Sequence, residues 1–410
     1  MARVAVIGAG FVGLSSAYWL MRDGHQVALY DPAGVAGGAS YGNAGTFANY
    51  ACIPVNHPSV FRDLPRYLLS GDSPLRLRGS YLPWLMPWLL RFLWHSTPAR
   101  SVATSAALST LLARAHEGYR SMVAEAGLAV HQRQAECLYL YAGAQAFRTA
   151  EPSLQLRREL GVDCQVIGGD EVARLEPALG LRFDRGVRFE GSWFLADPAA
   201  FLRDLHQWLG QRGLHTESRA VTRLRPAADG VLADTASGEA VYDHAVLCAG
   251  ALSGPLAAQC GDRVPLEAER GYHLMFAGAQ GLLSRPVGWA ERGFYMTPMA
   301  HGLRVAGTVE LAGLRPRRDP GLLGLLQFSA RRALPALGEP VDPWLGFRPT
   351  LPDGLPVIGR SRHSARVLYA FGHQHIGLTL GGLTGALVAD LVAQRVPGVD
   401  LAPFAASRFV

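Results

Sequence analysis

The first thirty-one residues constrain this chain more than any other stretch. Arg3–Ile7 (RVAVI) is a β-branched apolar run of the kind buried on both faces in a parallel sheet. Gly8, Gly10 and Gly13 follow at GxGxxG spacing. At such positions the first glycine permits a tight turn, the second lets backbone approach a pyrophosphate, and the third lets a helix pack closely on the strand. The pattern predicts a helix over Val12–Arg22, with Phe11 and Val12 at an amide-rich, partly positive end that faces the phosphate. Gly24 stops the helix, Gln26–Tyr30 forms a second strand, and Asp31 lies eighteen residues past Gly13. An acid there hydrogen-bonds ribose hydroxyls and repels a 2′-phosphate, so a dinucleotide other than NADP is expected. FAD and NAD share this fingerprint, and the motif alone does not choose between them.

At 410 residues the chain is long enough to split into two domains, and at 49% hydrophobic and 18% charged it suits a packed globular protein. The apolar run Val4–Met21 is broken by glycines and serines and has no basic leader, so it reads as mature sequence of an intracellular protein. Cys52, Cys137, Cys164, Cys248 and Cys260 are scattered and odd in number, which argues against a disulfide framework or cysteine metal site. Nor is there HExxH or clustered carboxylates, so no metal is expected. All 39 strongly basic residues are arginine. Without a lysine there is neither a pyridoxal Schiff base nor a P-loop. The net charge of +6 suits anionic substrates or a membrane surface and is too small to argue for nucleic acid. The stretch Tyr81–Trp94 (YLPWLMPWLLRFLW) falls short of the roughly 20 apolar residues a membrane span needs. Core packing is expected of it, with an interfacial or partner-docking face as the alternative. The expected location is the cytoplasm, the alternative being peripheral contact at the inner face of the membrane.

Further motifs follow. Residues 37–50 read GGASYGNAGTFANY, whose small residues let backbone pass close to an extended ligand. RAVTRL and DHAVLCAGALSG (Asp243–Gly254) read as a strand and then a strand entering a glycine turn. RGYH spans Arg270–His273, and GFYMTPMAHGLRVAGTVEL reads as a strand pair with Tyr295 near its start. The carboxyl-terminal part holds GFRPTLPDGLPVIGRS, then VLYAFGHQHIGLTLGGLTGALVADLVA, where glycines again precede a helix. At these residues the chain resembles the FAD-dependent amino-acid oxidoreductases of the D-amino-acid oxidase superfamily. It is nearer to the bacterial D-amino-acid dehydrogenase small-subunit group, including hydroxyproline-type enzymes. The resemblance covers nearly the whole chain through VIGAGFVG, ASYGNAG, YLPWLMPWL, ERGYH, AGTVEL, GFRPTLPDGLPVIG and FGHQHIGLT.

The resemblance implies non-covalent FAD, its ADP moiety held by Gly8, Gly10, Gly13 and Asp31 and its flavin lying by Gly377, Leu378 and Thr379. Ser40, Asn43, Ala44 and Gly45 match an early flavin-contacting loop, and Val221 a position whose backbone meets adenine. Ala249 and Gly250 join the cofactor set at the glycine turn. Arg348 matches the arginine that binds the substrate carboxylate. Two residues depart from the family pattern: Asp31 stands where glutamate is frequent, and Gln374 where relatives commonly have glycine.

Amine oxidation by flavin removes a hydride from the α-carbon, so the protein must place that C–H and fix the carboxylate. A guanidinium fork suits Arg348 to the second task. Tyr272 and Tyr295 could donate hydroxyls to the carboxylate or close the pocket, or simply fill a core. His273, His373 and His375 are candidates to take the ammonium proton, although a single histidine is more often structural; His373 is the weakest of the three.

The implied fold is α/β (α+β): an FAD-binding Rossmann-like domain interleaved with a substrate domain on a mixed or antiparallel sheet. Residues 1–55, 145–262 and 342–410 are assigned to the first, and 56–144 and 263–341 to the second. The implied function is oxidative deamination of a D-amino acid, with D-proline or cis-4-hydroxy-D-proline as the favoured subclass. Alternatives are a glycine- or sarcosine-type oxidase using oxygen, an NAD-dependent dehydrogenase, and a non-catalytic flavin-binding subunit. The missing lysine favours a dehydrogenase that passes electrons to a quinone or other acceptor; oligomers or partner subunits stay open.

Overall fold

Arg3–Ile7 becomes the interior strand of a six-stranded sheet, and its neighbours explain why it is apolar on both sides. The strand order is 215–217, 26–30, 3–7, 244–247, 367–371, 357–360. All neighbours are parallel except the last pair. Val4 and Val6 enter one buried cluster, Ala5 and Ile7 another, so each face of the strand has its own core. The computed structural model describes residues 1–59, 61 and 73–409.

Phe11–Arg22 is helical, starting one residue before the expected position. It packs against the helix Gly377–Val392, and glycine makes that contact close. A Cβ on Gly385 would sit 2.5 Å from the Ser15 carbonyl carbon, and one on Gly381 3.1 Å from Phe11 Cβ. The helix Pro198–Gly210 buries Phe201, Leu202, Leu205 and Leu209 in the same core.

The second sheet is mixed. Its order is 341–350, 267–277, 302–311, 294–299, 287–289, 137–141, 185–189, 164–168, with 75–77 pairing parallel to 302–311. Three of these strands lie outside the segments expected for the substrate domain. Arg185–Phe189 pairs antiparallel with Cys137–Tyr141 on one side and with Cys164–Gly168 on the other, and Val341–Thr350 is an edge strand beside Glu267–Ala277. Short apolar alternations look alike in either sheet, and only long-range pairing decides which one they join.

Adjacent residues of the long strand 267–277 point to opposite faces. Tyr272, Leu274 and Phe276 pack with Phe294, Met296, Leu303 and Val305 beneath the helix Pro320–Ala333. Glu269, Gly271 and His273 stand on the other face, which meets the dinucleotide-type domain.

The tryptophan stretch forms a helix, Leu82–His95, that is core on one side only. Leu85 and Trp88 are buried against Leu311, whereas Trp84 is 72% exposed and Leu90 and Trp94 are each 61% exposed. The expectation of core packing therefore holds for half the helix. Pro83 suits its first turn, and Pro87 is tolerated inside it. Among the described residues no helix is long and apolar enough to cross a membrane.

Candidate active site

The glycine turn is closed by contacts that a side chain would block. Gly8 has φ +115°, and a Cβ on it would lie 2.3 Å from the Cys248 carbonyl oxygen; one on Gly13 would lie 1.8 Å from the Gly8 oxygen. Gly10 caps the helix in an extended conformation, so its contribution is space: a Cβ there would be 2.8 Å from Ser40 Oγ. That hydroxyl accepts the Phe11 N–H at 3.2 Å, and Val12 holds Ser16 through its carbonyl. Asp31 locks the turn from the other side, accepting the Ala9 N–H at 2.8 Å and the Ala33 N–H at 2.9 Å. Each carboxylate oxygen has further lone pairs with which to meet a ribose hydroxyl.

Ala249 and Gly250 follow the next strand of the sheet, with Ala249 Cα against Gly8. Val221 lies buried in the loop after the edge strand, in one cluster with Ile7 and Tyr30. From Ser40 the chain runs through Asn43, Ala44 and Gly45 to the substrate sheet. The Asn43 carboxamide braces this loop, accepting the Gly45 N–H at 2.6 Å and donating to the Ser40 oxygen at 2.8 Å. Beyond it the Ala48 N–H donates to Thr379 Oγ1 at 2.9 Å, and Tyr119 donates to the Leu378 carbonyl beside Gly377. Most of the expected cofactor residues thus gather where the strands of the parallel sheet end, the ligand site of open α/β sheets. The glycine-lined cradle, which a Cβ would fill, fits a dinucleotide.

The substrate sheet supplies Arg348. It stands opposite Glu269 on the edge strand, and its guanidinium covers Gly271, where a Cβ would be 2.3 Å from Cζ. The neighbouring pair is irregular: register slips between Arg270 and Tyr272, and Thr308 takes φ +59°. This bulge re-aims the Thr308 carbonyl, which accepts from Arg348 Nη1 at 3.0 Å. Among the described residues that is the only hydrogen bond the guanidinium makes, so most of its five donors stay available to a carboxylate. Burial lowers the arginine's pKa, and the nearby Glu269 carboxylate opposes the shift. Burial raises the Glu269 pKa, with Arg348 opposing in turn.

His375 lies in the segment entering the last helix and keeps access to solvent although protein surrounds it closely enough to desolvate its imidazole. Burial and the charge of Arg348 hold its imidazole down to about 4. Tyr295 shares a row across the sheet with His273, Ala306, Gly288 and Tyr139. Its ring lies 5.7 Å from that of Tyr139, and burial, the leading cause, pushes its hydroxyl well up. Tyr50 stacks on Phe189 at 4.0 Å beside them. Sequence reasoning missed Tyr50 and Tyr139; the alternation CLYLY sets Tyr139 opposite Leu138 and Leu140, but nothing local says which face meets the site.

Tyr272 is not brought to this site. Its hydroxyl donates to Glu310 at 2.5 Å, accepts the Asp319 N–H at 3.1 Å, and is buried on the opposite face. His373 is tied beneath the last helix to Thr384 Oγ1 at 3.0 Å, its imidazole lowered to about 3 by burial. His273 is wholly buried and stacked on Trp344 at 5.1 Å, and desolvation, helped by Arg304, lowers it to about 3. Among the described residues no three His, Cys, Asp or Glu side chains gather to hold a metal.

The family described as FAD dependent oxidoreductase matches residues 3–391. The chain belongs to that family. This FAD-dependent oxidoreductase is 36% identical to a D-amino-acid oxidase of Bradyrhizobium diazoefficiens over 100% of its own length and 99% of the relative's. It is 32% identical to a D-amino acid dehydrogenase 2 of Ralstonia nicotianae, covering 99% and 100% of the two chains. In fold it is similar to the glycine oxidase of Geobacillus kaustophilus, with a TM-score of 0.77, 23% identity and 100% of both chains covered. The L-proline dehydrogenase of P. horikoshii superposes at TM-score 0.76 with 16% identity, over 100% and 97%. FAD-dependent oxidoreduction is therefore the chemistry of the family to which the chain belongs.

Proposed function

We propose that this enzyme oxidises a D-amino acid at its α-carbon to the imine, which water hydrolyses to the oxo acid. The observation that carries the reading is Arg348, a largely unpaired guanidinium held over Gly271 on the sheet face that meets the FAD domain. A bidentate grip on the α-carboxylate fixes the α-carbon against the flavin, and FAD when bound supplies the hydride acceptor. With its imidazole held down to about 4, His375 is neutral near pH 7, so it adds no charge beside Arg348 and can accept a hydrogen bond from the amine. The names of the full-length relatives support the D configuration.

Tyr50, Tyr139 and Tyr295 offer an aromatic wall with no acid or base in it, which suits an apolar side chain or ring. D-Proline and cis-4-hydroxy-D-proline are the favoured substrates, and a glycine- or sarcosine-type oxidase is the second reading, supported by the glycine oxidase fold neighbour. The absence of lysine favours a quinone or another acceptor over oxygen. The exposed face of Leu82–His95 could bring the protein to a membrane surface where such a quinone resides. Anaerobic mixing with D- and L-amino acids tests the substrate class through flavin bleaching. Reoxidation by oxygen or by a soluble quinone then tests the acceptor: oxygen as fast as substrate reduction would make the enzyme an oxidase.

A further inference from the structure

The loop between the glycine turn and the substrate sheet is gripped at three consecutive carbonyls. Arg304 Nη1 donates to the Tyr41 oxygen at 3.0 Å and to the Asn43 oxygen at 2.8 Å. Between them the Gly42 oxygen lies 3.1 Å from His273 Nδ1. A carbonyl only accepts, so this nitrogen must carry the proton, and His273 is the Nδ1–H tautomer with a bare Nε2. Both side chains rise from adjacent strands of the substrate sheet, and both are buried, at 0% and 8% exposure. Trp344 closes the grip: its ring stacks on His273 and lies where a Cβ on Gly42 would come within 2.2 Å.

A trans peptide is planar, so fixing a carbonyl fixes the N–H on its far side. The carbonyls of Tyr41, Gly42 and Asn43 share peptides with the N–H groups of Gly42, Asn43 and Ala44. Drawing the first three toward the substrate sheet turns the second three away from it. Among the described residues none of those N–H groups has an acceptor, although the loop's other polar groups are well used.

We propose that His273 and Arg304 are positioning residues that orient the N–H groups of Gly42, Asn43 and Ala44 toward bound FAD. The inference rests on FAD binding, not on the identity of the amino acid. It assigns His273 a hydrogen-bond donor's task, for which no change of protonation is needed. Arg304 makes no salt bridge among the described residues and spends its charge on two carbonyls. Such a clamp would link the flavin-side loop to the sheet that carries Arg348, setting one half of the site relative to the other.

Two variant pairs and one measurement on the unaltered holoenzyme test this. His273→Asn keeps a donor within reach of the Gly42 oxygen, whereas His273→Leu removes it; Arg304→Lys and Arg304→Met form the matching pair. The expected result is FAD binding weakened about tenfold or more in the Leu and Met variants, with a shifted flavin absorption band and partial rescue by Asn and Lys. The pH profile of anaerobic flavin reduction should be unchanged in His273→Asn. Loss of its acidic limb in that variant would make His273 a proton acceptor and overturn the proposal, as would unaltered FAD affinity and spectrum in the Leu and Met variants. Should those two fail to fold, amide exchange in the unaltered holoenzyme decides: slow exchange at Gly42, Asn43 and Ala44 supports the proposal, and rapid exchange overturns it.

Discussion

The proposed recognition of a carboxylate rests on Arg348, and Gly271 is what lets its guanidinium lie against the sheet. Replacing Arg348 by alanine should leave FAD bound but reduce the rate constant for flavin reduction per molar substrate by about a hundredfold or more, given roughly 1.5–3 kcal/mol for each hydrogen bond to a charged group. Arg348→Lys should restore little, since an ammonium lacks the planar fork. Stopped-flow reduction at limiting substrate checks both. His373 makes a different forecast. Its imidazole is held near 3, below the usual 6.5, so between those values the unfolded chain binds a proton that the folded one does not. The contribution is fully present above pH 6.5 and falls as the pH drops toward 3, by about 1.4 kcal/mol per unit for a single group. His373→Gln should flatten the pH dependence of unfolding by about one proton in that window, as measured by denaturant titration at pH 7 and pH 5. Glu267 and Glu269, whose carboxyls are raised by burial, contribute with the opposite sign and cancel in this comparison. Much at this scale was legible in the sequence: Gly8 makes the tight turn and Gly13 the close packing that their spacing says. Tyr272 and His273 were separable too, because neighbours on a strand point to opposite faces. Arg304, a lone charge in GLRVAGTVEL, was a readable signal, but its acceptors lie over 250 residues away in sequence.

Among the elements, the pair Phe11–Arg22 and Gly377–Val392 joins the two ends of the chain beside the glycine turn. Gly385→Ala puts a Cβ 2.5 Å from backbone that cannot rotate aside. It should destabilise the holoenzyme by about 1–3 kcal/mol, the usual cost of overpacking, and lower the temperature at which FAD is released. Flavin fluorescence on heating reads that directly. The helix Leu82–His95 invites the opposite kind of substitution. Trp84 and Trp94 are exposed, so Trp84→Ser with Trp94→Ser should leave the melting temperature within about 2 °C, as surface changes usually stay within ±0.5 kcal/mol. The same change should reduce sedimentation with anionic vesicles in low salt, where Arg91 and Arg100 flank the apolar face. Equal sedimentation of both proteins would remove the membrane contact. Helix and strand positions came through in the sequence because hydrophobic period is local. Sheet membership did not: Cys164–Gly168 and Val341–Thr350 carry no local mark of the partner strand they choose.

At the scale of the whole molecule, two sheets of different character divide the work. The parallel sheet ends in a glycine cradle for a dinucleotide, and the mixed sheet presents Arg348 and a tyrosine wall from its cofactor-facing side. The loop 40–45 and the last helix bridge them, so the arrangement of the candidate site depends on contacts that no single segment contains. The central claim is that a D-amino acid lies between these halves and reduces the flavin. The most direct measurement is flavin absorbance after anaerobic mixing of the holoenzyme with matched D- and L-amino acids, D-proline and cis-4-hydroxy-D-proline included. The account predicts bleaching by an apolar or cyclic D-amino acid, none by its L-enantiomer, and loss of the response in Arg348→Ala. A flavin that dithionite reduces but no D-amino acid bleaches would contradict it.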